Sequence, residues 1–353
     1  MELLDNPAYR ADVAAVAALE LDWDQMRDTG LVLSGASGAI GGCLVDVLMA
    51  RNRDWGLNCT ITALARDAAG LARRFAGYGH DRRLDCQAVD VNTGPLPDAA
   101  GGDWVIHAAS QTHPLAYAAD PVATIMTNIA GTANLLDLAV RRQARRAVFL
   151  STSDIYGDNR LAGTRFAETD LGYIDCNTLR AGYPESKRTG EALCQAYRQA
   201  HGLDVVIPRL PRVYGPTTRP DDSKAVAQFL GRALAGQDIV LKSDGHQYYS
   251  FGYVGDVVAG ILVCLLAGAP GQAYNVAAAA CDAELGQVAR LIAAQRGVEV
   301  VVGRPDPAEA RGASVVRTGA MDGSKLAGLG WVPVYDLAGG LERTLTILEQ
   351  LTG

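Results

Sequence analysis

Short apolar runs alternate along the chain with longer segments in which apolar residues recur at helical spacing. The strand-like runs are Leu31–Ser34, Thr60–Leu64, Leu84–Val89, Trp104–His107, Ala147–Ser151 and Val205–Leu210. The helical patterns between them run from Gly41 to Arg51, from Met126 to Arg142 and over 190–201. This alternation predicts βαβ units. We therefore expect an α/β fold of the Rossmann type, a doubly wound parallel sheet with helices on both faces.

The two ends of the chain depart from this alternation. Residues 7–20 have helical spacing and precede the first strand, so residues 1–28 are predicted to be an N-terminal helical extension. Beyond Tyr214 the pattern weakens, and prolines and glycines separate smaller elements. We expect residues 29–210 to form mainly a dinucleotide-binding domain. Residues 211–353 are expected to form mainly a smaller α/β substrate-binding region, interleaved with the end of the first domain.

Composition and charge narrow the classes of protein. The 353 residues are 49% hydrophobic and 20% charged, which is typical of a globular protein. The net charge of −7 provides no general positive field for nucleic acid or an anionic membrane. The longest apolar run, 257–269, is too short to span a bilayer, and the N-terminus lacks the pattern of a signal peptide. The seven cysteines form no CxxC pair, which favours free thiols in a cytoplasmic protein and argues against a metal site.

A glycine-rich turn follows the first strand. In GASGAIGG, the residues Gly35, Gly38 and Gly41 have GxxGxxG spacing. Glycines let the backbone approach a pyrophosphate, and the N-terminus of the following helix provides free N–H groups and partial positive charge. The alternative is a glycine-rich turn that binds no ligand.

Further residues follow in the order that a dinucleotide site requires. Asp90 comes after a strand, where its carboxylate can accept a hydrogen bond from an adenine amino group. Ala108 and Ala109 end the next strand with small side chains, and Asn128 lies early in a long helix. The second strand ends in Arg66 instead of the acid that binds the ribose of NAD. This arginine favours NADP if it meets a 2′-phosphate, and it is otherwise a solvated surface residue, so the cofactor is NAD or NADP.

Two segments carry groups suited to catalysis. The stretch from Ser151 to Gly157, STSDIYG, directly follows a strand and is expected at the carboxyl edge of the sheet. Tyr183 and Lys187 lie four residues apart, so both side chains share one face if the segment is helical. A lysine beside a phenol lowers the pKa of the phenol and makes it a usable proton acceptor. Such a pair also occurs by chance on helix surfaces.

Together the motifs GASGAIGG, HAAS, NIAGTANLL, STSDIYG, YPESK and RVYGP resemble the extended short-chain dehydrogenase/reductases, the nucleotide-sugar epimerase/dehydratase family. The resemblance implies that Tyr183 is the catalytic base, that Lys187 is its partner and binds the nicotinamide ribose, and that Thr152 binds the sugar oxygen. The expected dinucleotide-binding residues are Gly35, Ser37, Gly38, Ala39, Ile40, Gly41, Arg66, Asp90, Val91, Ala108, Ala109, Ser110, Asn128, Tyr183 and Lys187. The expected substrate-binding residues are Thr152, Ser153, Arg212, Lys224 and Tyr249.

The expected reaction starts by oxidising a nucleotide-linked sugar to a 4-keto intermediate, with a tightly bound dinucleotide that is recycled. Asp154 is a fourth catalytic candidate, although related dehydratases and decarboxylases carry Glu there and Asp is also a common turn residue. Arg212 stands where the family usually has Asn and is suited to clamp a carboxylate or phosphate. Tyr249 replaces an arginine that often binds diphosphate, and Lys224 is the candidate for that role.

We expect an epimerase or a dehydratase that acts through this intermediate, prefer epimerisation slightly, and keep decarboxylation of UDP-glucuronate as the alternative. A non-catalytic dinucleotide sensor and a reductase of a small carbonyl are alternatives from other classes. The family resemblance further implies a homodimer, formed by the helices at 126–142 and 183–201.

Overall fold

A parallel sheet of eight strands organises the chain. The computed structural model describes residues 2–79, 81–96, 102–112, 119–158, 165–219, 221–305 and 316–352. Its strands are β1 (Gly30–Ser34), β2 (Thr60–Ala65), β3 (Leu84–Ala88), β4 (Trp104–His107), β5 (Arg146–Phe149), β6 (Ser151–Thr152), β7 (Val205–Leu210), β8 (Arg212–Tyr214), β9 (Ile239–Leu241), β10 (Tyr248–Tyr253), β11 (Ala273–Asn275), β12 (Asp282–Glu284), β13 (Val300–Val302) and β14 (Thr318–Gly319). Its α-helices are α1 (Pro7–Ala17), α2 (Ala39–Trp55), α3 (Ala68–Arg74), α4 (Pro121–Arg141), α5 (Gly182–His201), α6 (Ala225–Leu234), α7 (Val254–Ala267), α8 (Leu285–Arg296), α9 (Ser324–Ala327) and α10 (Leu337–Thr352).

The strand order confirms the predicted fold class. The large sheet runs β11-β7-β5-β4-β1-β2-β3, with the short strand β6 also paired to β7, and all of these pairings are parallel. Leu33 of β1 is in register with Ala63 of β2 on one side and with Ile106 of β4 on the other. The order of the chain reverses on the two sides of β1. In doubly wound folds this switch point opens a crevice at the carboxyl ends of the strands, where ligands bind.

Helices begin earlier than the apolar periodicity predicted. Helix α4 starts at Pro121, five residues before the predicted Met126, because Asp120 caps it by accepting a hydrogen bond from the N–H of Ala123 (3.0 Å). Helix α5 starts at Gly182, so Tyr183 and Lys187 both lie in its first turns, as the four-residue spacing required. The first turns of these helices are polar or lack apolar periodicity, which is why the pattern alone did not mark them.

Smaller sheets form the rest of the molecule. Strand β10 pairs with β12, β14 and β8, and β9 pairs with β13. Strand β11, from the C-terminal part of the chain, joins the edge of the large sheet beside β7. The exact division of the chain into domains at residue 210 stays a prediction.

The N-terminal segment is tied into the core. The Tyr9 hydroxyl donates to the carboxylate of Asp46 on α2 (2.5 Å). Asp12, also on α1, accepts hydrogen bonds from Tyr253 (2.6 Å) and from the Arg343 guanidinium (2.8 Å). Helix α1 therefore connects the dinucleotide-binding side of the fold with β10 and the C-terminal helix α10.

Within the described ranges, none of the helices combines the length and apolar character needed to cross a bilayer. Over the same ranges, no group of three or more His, Cys, Asp or Glu side chains could hold a metal ion.

Candidate active site

The glycine turn lies against the end of β4. Gly35 has a φ of +73°, and a Cβ there would lie 2.6 Å from the backbone nitrogen of Ala109. A Cβ on Gly41 would meet the carbonyl oxygen of Gly35. Gly38 is the N-cap of α2, and no side chain caps the helix at this point. The turn is thus tight and narrow, and leaves the N–H groups at the start of α2 available to a pyrophosphate. These residues fit a dinucleotide.

The side chains at the end of β4 form two hydrogen-bonded groups. His107 is buried, its Nδ1 lies 2.7 Å from the Ser34 hydroxyl, and burial lowers its pKa to about 3. The Ser110 hydroxyl donates to the Asn128 carbonyl (2.8 Å), and the Asn128 amide donates to Ser186 on α5 (3.0 Å). Asn128 therefore joins β4, α4 and α5. Its expected contact with the dinucleotide stays a prediction.

The outer part of the predicted dinucleotide site lies at the ends of β2 and β3. Asp90 is half-buried and its carboxylate accepts a hydrogen bond from the N–H of Asn92 (2.9 Å). The carbonyl oxygen of Val91 accepts from the Asn134 side chain (2.8 Å). Arg66 directly follows β2 and is exposed. The structure thus puts Asp90 and Arg66 at the edge of the sheet where the sequence predicted them.

Lys187 is held on the inner side of α5. It is 3% exposed, its ammonium donates to the carbonyl oxygen of Leu150 (2.8 Å), and it lies 4.7 Å from the centre of the Phe149 ring. Burial lowers the pKa of Lys187 to about 7, against a smaller raising effect of the Glu191 charge. The ammonium is fixed to the strand that leads to Thr152.

Several groups around Tyr183 control its ionisation. Burial raises the pKa of its phenol above the ordinary value, and the charge of Asp154 adds to this rise. A hydrogen bond with Thr152 and the charges of Arg180 and Arg212 act in the opposite direction. The lowering of this pKa by Lys187 stays a prediction, and in this structure the Lys187 ammonium donates to the Leu150 carbonyl.

Asp154 lies between two arginines at the mouth of this site. Its carboxylate is 3.6 Å from the Arg212 guanidinium and 4.0 Å from that of Arg180. Its backbone N–H donates to the Thr152 hydroxyl oxygen (3.2 Å), which fixes the turn. Burial, and after it the charge of Arg212, lowers the pKa of Arg180 to about 10. Two guanidinium groups and one carboxylate thus converge beside the phenol of Tyr183.

Arg180 was missed by the sequence analysis. It stands three residues before Tyr183, in a short 3-10 helix (Leu179–Ala181) that leads into α5. The sequence feature that could have indicated Arg180 is its position about one helical turn before the Tyr183–Lys187 pair. The segment has no apolar periodicity, so the sequence did not show that Arg180 reaches the same cleft as Arg212.

A cavity of about 600 Å³ connects these groups. The predicted residues that line it are Ile40, Ala108, Ser110, Thr152, Ser153, Asp154, Tyr183, Lys187, Arg212, Lys224 and Tyr249. The predicted residues outside its lining are Gly35, Ser37, Gly38, Ala39, Gly41, Arg66, Asp90, Val91, Ala109 and Asn128. The cavity therefore runs from the start of α2 past the Tyr183 phenol to the β8 and β10 region. Lys242 also lines it and was not predicted.

The far end of the cavity holds the predicted substrate residues. The Arg212 guanidinium lies 3.7 Å from the centre of the Tyr249 ring, and the Tyr249 hydroxyl donates to the Val316 carbonyl (2.6 Å). The Lys224 ammonium is 3.4 Å from the Asp222 carboxylate. Tyr249 thus supports Arg212 by stacking, and Lys224 is partly neutralised where it stands.

Comparison with known proteins decides the family. Residues 31–277 match the model of the NAD dependent epimerase/dehydratase family. The chain belongs to this family. Membership confirms the resemblance inferred from the motifs, and with it a nicotinamide-dependent enzyme. It does not distinguish among the family's reactions.

Several curated relatives of this epimerase/dehydratase chain are named as decarboxylases. UDP-glucuronic acid decarboxylase 5 of Arabidopsis thaliana is 33% identical over 232 residues, which cover 66% of this chain and 65% of that protein. The match thus spans slightly less than two thirds of that relative. UDP-glucuronic acid decarboxylase 1 of Xenopus tropicalis is 29% identical over 319 residues, which cover 89% of this chain and 71% of that protein.

Solved structures agree with the fold. A UDP-glucuronic acid 4-epimerase from Bacillus cereus, in complex with UDP-glucuronic acid and NAD, has a TM-score of 0.75 and 22% identity, and the match covers 91% of this chain and 99% of that one. A dTDP-glucose 4,6-dehydratase from Streptomyces venezuelae, with NAD bound, has a TM-score of 0.78 and 24% identity, with 91% and 97% covered. At these identities the likeness concerns the fold alone.

Proposed function

We propose that this enzyme oxidises the sugar of UDP-glucuronic acid at C4 and then releases the C5 carboxylate as CO2. The observation that carries the proposal is the convergence of Arg180, Arg212 and Asp154 beside the Tyr183 phenol. From the sequence, epimerisation is preferred. The pair of arginines favours an acidic sugar, and the curated relatives named as UDP-glucuronic acid decarboxylases favour loss of its carboxylate.

The charges of the cleft support an anionic sugar. The two guanidinium groups and the Asp154 carboxylate together carry one net positive charge. The Arg212 charge contributes to lowering the pKa of Arg180, which means that the two cations repel each other across the cleft. The Nε of Arg212 is buried and has no hydrogen-bond partner among the residues that the structure describes. A carboxylate bound here satisfies that donor and relieves the repulsion.

The chemistry requires such a carboxylate close to C4. When bound, the nicotinamide ring accepts a hydride from C4 and later returns it. Tyr183 takes the proton of the C4 hydroxyl on its phenolate oxygen, which the Thr152 hydrogen bond and the charges of Arg180 and Arg212 stabilise against burial. The Thr152 hydroxyl also orients the sugar O4. The resulting ketone is β to the C5 carboxylate, so the C5–C6 bond breaks, CO2 leaves, and its electron pair enters an enolate at O4. A proton then adds at C5, and hydride returns to C4 with the Tyr183 proton.

Four residues of the cleft share three tasks in this reaction. Arg180 and Arg212 hold the carboxylate and the developing enolate charge, whereas Lys187 fixes α5 against β5 and β6. Asp154 faces both arginines and is one methylene shorter than the glutamate of related decarboxylases. We propose that Asp154 adjusts the electrostatic potential at Tyr183 and at the two arginines. In this role its carboxylate does not have to contact C5.

The relatives support the same substrate class. The curated relatives reported above are named UDP-glucuronic acid decarboxylases, and one solved structural neighbour is titled a UDP-glucuronic acid 4-epimerase. Lys224, Arg232 and Lys242 also line the cavity and are candidates to bind a diphosphate.

Epimerisation at C4 is the second candidate. It shares the C4 oxidation, but the C5–C6 bond stays intact and hydride returns to the opposite face of C4. A protein of the same fold, from Bacillus cereus, is titled as an epimerase of UDP-glucuronic acid.

We further propose a homodimer that packs through the outer faces of α4 and α5. The two helices lie side by side, and the Tyr197 hydroxyl of α5 donates to Asp137 of α4 (2.6 Å) on an exposed face. Ala192 and Ala196 are exposed on the same helix as Tyr197. Light scattering after gel filtration is expected to give twice the chain mass, and a monomer would contradict the proposal.

The test of the proposed reaction is product analysis by mass and proton NMR. The purified protein is incubated with UDP-glucuronic acid and either dinucleotide, beside UDP-glucose as the neutral control substrate. We expect a UDP-pentose from the acid, none from the neutral sugar, and loss of turnover in Tyr183→Phe. A product of unchanged mass with inverted C4 establishes epimerisation instead, and the return of unaltered acid with both dinucleotides overturns both candidates.

A further inference from the structure

Arg66 lies where the end of β2 meets the glycine turn. On the side of β1, the N–H of Ala36 in the turn donates to the carbonyl oxygen of Leu64 (3.2 Å). On the side of β3, the N–H of Val89 donates to the carbonyl oxygen of Ala65 (2.9 Å). Arg66 is the next residue and is exposed. Its side chain therefore starts between the turn and the end of β3. In folds of this type the adenosine ribose of a dinucleotide binds beside this position.

The neighbouring acid is occupied elsewhere. The carboxylate of Asp67 lies against Gly70, in the first turn of α3. A hydrogen bond from the backbone N–H of Gly70 lowers the pKa of Asp67, and the charge of Arg73 adds to this. The Asp67 carboxylate therefore stabilises the first turn of α3. Arg66 is then the charged residue at the end of β2 that we expect to contact the ribose.

An arginine and an acid select different riboses. The 2′-hydroxyl of NAD is bound through an acceptor, usually a carboxylate, whereas a guanidinium has five N–H donors and no acceptor. A 2′-phosphate brings negative charge and oxygens that match the guanidinium fork. We propose that Arg66 forms a 2′-phosphate subsite and that this enzyme binds NADP in preference to NAD. The inference rests on the dinucleotide site of the proposed function and specifies which dinucleotide occupies it.

The subsite rests on Arg66 and not on a second arginine. Arg219, whose charge contributes to lowering the pKa of Asp67, is exposed and already paired with Asp221 (3.0 Å). It therefore adds little net charge at the ribose. The preference for NADP departs from the family description, which names NAD.

Binding, measured without turnover, tests this. Nucleotide-free protein is titrated with NADP and with NAD by calorimetry, as wild type, Arg66→Ala and Arg82→Ala. Arg82 is the matched control, because it is exposed and lies just before the amino end of β3, whereas Arg66 follows the carboxyl end of β2. We expect wild type to bind NADP at least about tenfold more tightly. Arg66→Ala is expected to weaken NADP binding about tenfold to a hundredfold and to change NAD binding less than about twofold.

Two further readouts separate the possible failures. The NADP affinity of wild type is expected to fall more steeply with added NaCl than the NAD affinity, and this difference is expected to disappear in Arg66→Ala. Tighter binding of NAD by wild type, or equal effects of Arg66→Ala and Arg82→Ala, overturns the 2′-phosphate subsite and leaves the proposed function standing. Binding of neither dinucleotide overturns both.

Discussion

The carboxylate of Asp154 lies 3.6 Å from the guanidinium of Arg212, in the cavity that the Tyr183 phenol also lines. This pair links substrate binding to proton transfer. The same negative charge that holds Arg212 also raises the pKa of Tyr183. A substrate carboxylate that binds Arg212 competes with Asp154 for it.

Replacing Asp154 with Asn is expected to lower the pKa of Tyr183, because a negative charge near the phenolate is removed. The acid limb of the pH profile of kcat/KM for C4 oxidation then moves to lower pH, by about one unit, and UDP-glucuronic acid binds more tightly. The profile is measured by reduction of the dinucleotide. Glu20→Gln, at an exposed acid in the N-terminal segment, is the control. A limb that stays in place or moves to higher pH contradicts the coupling.

Tyr249 is expected to act as a positioning residue for Arg212. Tyr249→Leu removes the ring that lies 3.7 Å from the guanidinium and is expected to raise KM for UDP-glucuronic acid about three- to thirtyfold. Tyr249→Phe keeps the ring and is expected to restore KM, while losing the hydrogen bond to Val316. Binding of UDP-glucose is the control measurement. Equal losses for both sugars would show a general disturbance of the cavity.

Lys187 is expected to make folding stability depend on pH. Its pKa in the folded protein, about 7, is below its ordinary value, so the unfolded chain binds more protons between pH 7 and about 10. The burial penalty is full below pH 7 and fades as the pH rises, which adds up to about 1.4 kcal/mol per pH unit to the free energy of unfolding. Urea unfolding of wild type and Lys187→Met, without dinucleotide, measures the difference.

The matched control for that measurement is Lys325→Met, because Lys325 donates to Gln272 and Ala273 outside the cavity. We expect the Lys187→Met difference from wild type to change with pH and the Lys325→Met difference to change less. A Lys187→Met difference that is the same at pH 7 and pH 9 means that the ammonium is not penalised by burial.

Asp12 is expected to be essential to stability although it lies in the N-terminal segment. Its carboxylate accepts from Tyr253, Tyr335 and Arg343, and its side chain is buried. Asp12→Ala leaves the Arg343 charge without its partner and is expected to lower the free energy of unfolding by about 3 kcal/mol. Asp5→Ala, at an exposed acid of the same segment, is expected to have little effect. Similar urea midpoints for both variants would contradict this role.

Much of the fold could be predicted because it depends on local patterns. Strand β1 is apolar and buried throughout, and Gly35 and Gly41 stand where the turn allows no Cβ. These features can be recognised directly in the sequence. The start of α4 is harder to recognise, because its first turn is fixed by the Asp120 cap and Pro121 and not by apolar periodicity.

The charge relations of the site could not be predicted in the same way. Arg180 and Arg212 are 32 positions apart in the chain and meet only because β8 pairs with β10 and the 3-10 helix before α5 lies across the cleft. The direction of the Lys187 ammonium depends on the Leu150 carbonyl, which spacing within the helix does not reveal. The sequence thus predicts which residue types line the site, but it does not predict which groups each charged side chain contacts.

The most direct test of the central claim follows the carboxyl carbon itself. UDP-glucuronic acid labelled with ¹³C at C6 is incubated with the enzyme and its dinucleotide, and the label is followed by carbon NMR. We predict that the signal leaves the sugar and appears as CO2 and bicarbonate, at a rate that Arg180→Met and Arg212→Met each reduce. A label that remains on the sugar while C4 inverts, or that never changes, contradicts decarboxylation.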